Sequence, residues 1–157
     1  MSLKLLGGLL ILAVGGVSAL GMAAREKKRI RLLQAWIDLL FHIRTRIDCY
    51  LTPIGELLST ADRTLLAACN GRGGEETPQA LLEHCRGELP PEALRLLTAF
   101  SCEIGGSYRE EQVKRCDFYM DALNRILEKE QEALPARLRV RSALCLSAAL
   151  ATAILLW

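Results

Sequence analysis

From Ile30 onward, apolar residues recur in steps of three and four: Ile30, Leu33, Ile37 and Leu40, then Ile47, Leu51 and Ile54, with Arg44 interrupting. That period predicts a helix with one apolar face. Trp36, Phe41 and Ile43 widen the face beyond a narrow seam, so the helix is expected to pack against more than one neighbour. Thr52-Pro53 predicts a break and restart, with Thr52 as N-cap and Pro53 at the first helical position, where its missing N–H costs nothing. A short helix through Leu57 and Leu58 should follow, then another from Ala61 to Cys69, and Asn70-Gly71-Arg72-Gly73-Gly74 reads as a flexible loop. Thr77-Pro78 repeats the cap-then-proline signature and opens a helix to about Arg86. Leu89-Pro90-Pro91-Glu92 separates it from an element with Leu94, Leu97, Phe100 and Ile104 on one face, and Gly105-Gly106 supplies a left-handed C-cap. Ser107 and Glu110 have the spacing of a capping box. Behind it Val113, Cys116, Met120, Leu123, Leu127 and Leu134 keep the helical repeat, broken by Glu130, until Pro135 interrupts it. No segment has the alternation of a strand.

The two ends follow a different pattern. Residues 5–24 carry no charge, and neither do residues 142–157. The first run, 20 residues, is about 30 Å long as a helix and matches a hydrocarbon core. The second, 16 residues or about 24 Å, can span with local thinning or snorkelling arginines, Trp157 settling at the far interface. The reading is all-α: a membrane-anchored helical bundle of about six helices with N- and C-terminal transmembrane helices. Its parts are an anchor at residues 1–24, a helical bundle at 25–141 and a second membrane segment at 142–157. Gly15, Ala19 and Ala23 recur every fourth position in the first run, and Ala143, Ser147 and Ala151 in the second. Small residues at that spacing let helices approach closely in lipid, so the two spans are expected to pack on each other.

Charge orients the hairpin. Arg25, Lys27, Lys28, Arg29 and Arg31, against the single acid Glu26, follow the first run, and Arg137, Arg139 and Arg141 precede the second. The positive-inside rule then puts the central region in the cytoplasm. The net charge of +2 conceals a segregation: residues 38–134 hold 11 Lys/Arg against 17 Asp/Glu, a net −6. Basic charge beside the lipid suits anionic headgroups, and the acidic interior argues against nucleic-acid binding. A cleaved secretory signal ending near Ala19-Leu20-Gly21 is the rival reading of the first run, although the basic flank resists translocation.

Candidate chemistry is sparse. The six cysteines include no CxxC, and a cytoplasmic domain predicts free thiols, with Cys116 a small buried hydrophobe on the apolar seam. His84-Cys85, with His42 or another thiol, could supply metal ligands, but adjacent helical residues diverge by about 100°. The glycine cluster lacks the Lys-Ser/Thr of a P-loop, and Glu75-Glu76 and Glu110-Glu111 read as loop and helix-start acids. No serine elbow or triad is evident, so no catalytic residue, metal or cofactor is expected.

The anchor with its basic flank, the segment from Thr52 and Pro53 to Leu58, and Ile104-Gly105-Gly106-Ser107 followed by Glu111-Gln112 and a long charged helix resemble the stage III sporulation protein AB family of endospore-forming bacteria. Arg46 departs from that pattern, as do the missing glycines of the final run. The resemblance implies a domain similar to the cytoplasmic domain of type II secretion F proteins. It implies a non-enzymatic platform in the mother-cell membrane facing the forespore, with membrane lipid, the other stage III complex proteins and a secretion-type ATPase as partners. A homo-oligomer stays open. The rivals are a holin-like pore former, which needs no capped central domain, and a secreted helical module.

Overall fold

The computed structural model describes residues 2–50, 56–73, 77–105 and 108–155; the side chains of residues 2–16, 18, 19, 149 and 153–155 lie outside the description. Five helices are present among the described residues: α1 (Ser2–Tyr50), α2 (Arg63–Ala68), α3 (Pro78–Glu83), α4 (Pro91–Glu103) and α5 (Arg109–Leu155). The chain divides into two compact units, Arg29–Lys129 and the paired ends Met1–Lys28 with Glu130–Trp157. Helices α1 and α5 each contribute to both.

The central unit closes around the periodic positions. Leu33, Trp36, Leu39, Leu40 and Ile43 of α1 are at most 1% exposed. Burying each such side chain contributes roughly 1.5–3 kcal/mol. Leu81, Leu97, Cys116 and Leu123 from the other helices join them in the same core. Phe41 is a correction: it is 60% exposed and does not widen the apolar face. Phe41 lies about half a turn from Leu39 and Ile43, on the side of the helix that carries Asp38 and Thr45. Cys116 is buried, as a small apolar residue on the seam should be.

The connections follow their cap chemistry. Asp62 caps α2, its carboxylate accepting from the Thr64 N–H at 3.2 Å and the Thr64 hydroxyl at 2.8 Å. Those bonds hold its pKa below the usual carboxylate value. The far end of α2 is more ordered than the glycine composition suggests. Asn70 takes φ 60°, its N–H reaching the Ala67 carbonyl and the Gly71 N–H the Leu66 carbonyl at 2.8 Å. This is a Schellman cap, with asparagine in the left-handed position. The Thr77 hydroxyl accepts from the Ala80 N–H, with Pro78 opening α3, which ends at Glu83 rather than near Arg86. Pro91 opens α4, and Gly105, at φ 112°, follows its end. The start expected at Thr52-Pro53 for a short helix lies outside the described residues; the described residues 56–60 form one turn, with the Thr60 N–H on the Glu56 carbonyl.

Helix α5 departs from expectation in two further ways. Helix α5 opens at Arg109, with the Gln112 N–H on the Tyr108 carbonyl, one residue later than a Ser107 cap sets it. Ser107 itself lies outside the described residues. Pro135 does not interrupt α5, which runs through it. Arg137 donates to Glu130 at 2.6 Å, an ion pair that bridges the turn in which the proline removes a backbone hydrogen bond.

Candidate functional site

The residues carrying the family-like pattern meet the structure at the corner between α4 and α5. Gly105 and Gln112 of that pattern are described there, whereas Thr52, Pro53, Gly106 and Ser107 lie outside the described residues. Gly105 makes the left-handed turn that an L side chain resists, and Gln112 is 9% exposed. Phe100, Glu103, Ile104, Gln112, Arg115 and Tyr119 line a narrow crevice there.

That corner is cross-braced. Arg115 donates to the Glu103 carbonyl at 3.1 Å and to the Glu111 carboxylate at 2.8 Å. The Tyr119 hydroxyl donates to Glu103 at 3.0 Å, and its ring meets Phe100 edge-on at 5.5 Å. Burial, then the hydrogen bond to Glu103, raises the Tyr119 pKa, so the phenol stays protonated and donating. Tyr119 thus carries an apolar contact and a polar one from a single side chain, which fixes the angle between the end of α4 and α5.

A second set of contacts fixes α1 against α5. Arg44, the polar interruption of the α1 seam, donates to Asp117 at 2.6 Å, and Arg109 donates to Asp48 at 2.7 Å. The Asp48 pKa falls below its ordinary value because Arg109 bonds it, and that of Arg44 rises because of Asp117. Arg46, the departure from the family-like pattern, lies over the Tyr50 ring at 4.8 Å. The exposed Tyr108 and Phe118 add aromatic surface to this part of the central unit.

In the unit formed by the chain ends, Glu26 is 8% exposed and accepts from Arg141. In the sequence Glu26 stands out only as one carboxylate among five bases. Of the small residues expected to pack there, Ala23 is half-buried, while Ala143, Ser147 and Ala151 are exposed. Among the described side chains of that stretch the half-buried ones are Ser142 and Cys145, and the Ser147 hydroxyl bonds back to the Leu144 carbonyl of its own helix. Gly15 and Ala19 have no described side-chain surroundings. Among the described residues no helix is long and apolar enough to cross a membrane. Most of the apolar run at residues 5–24 falls outside the described side chains.

Chemically, the arrangement braces and presents surface. Among the described residues, no three His, Cys, Asp or Glu side chains are grouped to hold a metal ion. His84 is exposed, whereas Cys85 is buried and donates its thiol hydrogen to the Cys69 carbonyl at 2.9 Å. Glu110 and Glu111 occupy the first turn of α5, where negative charge meets the positive end of the helix dipole; Glu75-Glu76 lies outside the described residues.

No curated protein and no solved structure matches the chain. Residues 4–157 match the family described as Stage III sporulation protein AB (spore_III_AB). With nearly the whole length covered, from the apolar start through the braced corner to the apolar end, the chain belongs to the stage III sporulation protein AB family.

Proposed function

We propose that this protein is a non-enzymatic membrane platform, an assembly component of a sporulation-specific, secretion-like complex between mother cell and forespore. In this reading residues 5–24 and 142–157 anchor the chain as a hairpin in the mother-cell membrane, and the central unit is cytoplasmic, where a secretion-type ATPase and the other stage III proteins can reach it. The observation that carries the reading is the closure of Arg141 on the buried Glu26. It ties together the two basic clusters that border the uncharged ends, as a hairpin entering lipid from one side requires. The secretion-like role rests on the family and on an all-helical, cross-braced unit whose residues 38–134 carry a net charge of −6.

The test uses a variant retaining Cys102 alone, since this thiol is exposed in the central unit. Membranes from sporulating cells are extracted with alkaline carbonate, and intact and permeabilised cells are treated with a membrane-impermeant maleimide. Retention in the membrane with labelling only after permeabilisation supports the platform. Labelling in intact cells inverts the topology and removes the ATPase from reach, and extraction by carbonate removes the anchor.

A further inference from the structure

Within the unit formed by the chain ends, Met22, Arg25, Arg141, Leu144 and Cys145 line an open cavity of about 380 Å³. We propose that this cavity is a binding site for an acidic phospholipid, its phosphate held by Arg25 and Arg141 and the glycerol ester region lying along Met22, Leu144 and Cys145.

The volume falls within the roughly 300–1,000 Å³ of small-molecule sites. Two guanidiniums at its rim match a phosphate better than two ammoniums, because the planar fork pairs with two phosphate oxygens at once. Arg25 is exposed. Arg141 uses one terminal nitrogen on Glu26, and a guanidinium carries five N–H donors, so most of its fork remains for a ligand. The Glu26 carboxylate opposes an anion by its charge, yet it also fixes the direction of the Arg141 guanidinium. With one acid against two arginines the cavity stays net positive. Arg137, the next base along α5, is committed to Glu130 at 2.6 Å and lies outside the lining.

The lining also selects the source of the phosphate. A site for a free ion needs charge and hydrogen bonds alone, whereas here three of the five lining residues are apolar. They sit at the sequence boundary where charged residues give way to the uncharged runs 5–24 and 142–157. Headgroup below, ester and upper acyl carbons above, is the order of chemistry that this boundary presents. Basic pockets between membrane helices on the cytoplasmic side bind such headgroups.

The inference rests on the membrane reading for its supply of lipid, but it is tested separately. The full-length protein in nonionic detergent is titrated with phosphatidylglycerol, with phosphatidylcholine and with glycerol phosphate, and bound adducts are counted by native mass spectrometry. Wild type is expected to prefer phosphatidylglycerol to both. R25Q/R141Q should weaken that binding on the order of thirtyfold, about fivefold for each residue. K27Q/R139Q, the same charge change outside the lining, should stay within about threefold. L144W, which fills the cavity and keeps its charge, should also lose the lipid. Helical circular dichroism checks that each variant is folded; should R25Q/R141Q unfold, L144W decides alone. Equal losses in R25Q/R141Q and K27Q/R139Q, or unchanged binding in L144W, overturn the site. Equal binding of glycerol phosphate and lipid overturns the assignment to lipid. Carbonate extraction of the wild type reports on the membrane reading irrespective of these outcomes.

Discussion

Thiol reactivity gives a quantitative check on the central unit. Cys69 and Cys116 are at most 1% exposed, while Cys49 and Cys102 are exposed. Burial pushes the Cys69 thiol up to about 12 and the Cys116 thiol up to about 11, with a nearby Cys85 adding to the first and Asp117 to the second. An ordinary thiol near pKa ~8.5 is about one quarter thiolate at pH 8, against roughly one part in 10⁴ for pKa ~12 and one in 10³ for ~11. The higher-pKa thiolate is intrinsically more nucleophilic, with a Brønsted slope of about 0.45, which returns a factor of roughly 40 for Cys69 and 13 for Cys116. Ionisation alone therefore slows Cys69 by about sixtyfold and Cys116 by about twentyfold relative to a solvent thiol. Restricted access slows both further. The assay is timed alkylation of the purified protein at pH 8, quenched, digested and read peptide by peptide, natively and in denaturant. Cys49 and Cys102 should react first in the native protein, and all four rates should converge once the chain is unfolded. Native rates for Cys69 and Cys116 within a few-fold of those for Cys102 would refute the core as described, because neither burial nor the raised pKa values could then hold.

Gly71→Ala should destabilise the central unit by about 1–3 kcal/mol, the range for inserting a group without space. A Cβ there meets the Leu66 carbonyl oxygen at 2.8 Å and a Leu81 methyl at 3.0 Å, and the backbone oxygen cannot retreat without breaking the cap; chemical denaturation of the purified protein measures the loss, and an unchanged midpoint contradicts the Schellman geometry. Stability should also fall as pH drops below about 6.5 because of His42, whose pKa is lowered by burial and then by the Arg46 charge. With the folded value depressed, the unfolded chain binds the proton first, so stability is full above the unfolded pKa and is lost as pH falls toward the folded one. Thermal midpoints between pH 7.5 and 5.5 should show the decline in wild type and a flatter profile in His42→Gln; identical slopes would exclude His42 as its source.

The parts of this fold that were legible in the sequence are those where one local rule acts alone. Step-of-three-and-four spacing located the buried faces of α1, α4 and α5, and Thr77-Pro78 located the start of α3, because periodicity and capping are decided within a turn or two of chain. Phe41 misled because hydrophobicity suggests burial only on average, and its angular position put it among Asp38 and Thr45. Asn70-Gly71 lies in a loop, as its glycine-rich composition predicts, but the Schellman cap made there by one asparagine at φ 60° and two carbonyls is detail that composition does not carry. The corner at Gly105 and Gln112 was visible as a motif, but its brace was not, since Tyr119, Arg115 and Glu103 are brought together by packing.

The interruptions of the apolar seams carry the most information in retrospect. Arg44 and Glu130 each break a helical repeat, and each proves to be held by a specific partner, Asp117 and Arg137 respectively. The lone acid in the first basic cluster, Glu26, is likewise held by Arg141. A charge set into an apolar face is costly unless it is paired, so such a residue implies an opposite charge at that level on a neighbouring element or turn. From one sequence the existence of the partner follows, while its identity does not, because 20 bases and 18 acids leave too many pairings. Arg44 is matched by Asp117 on α5, and Glu26 near one end of the chain by Arg141 near the other. These two pairs are thus long-range register marks: each fixes a level at which α1 meets α5, one in the central unit and one in the unit of the chain ends. Charge reversal tests that logic directly, since exchanging both members of a pair should restore what reversing either one removes.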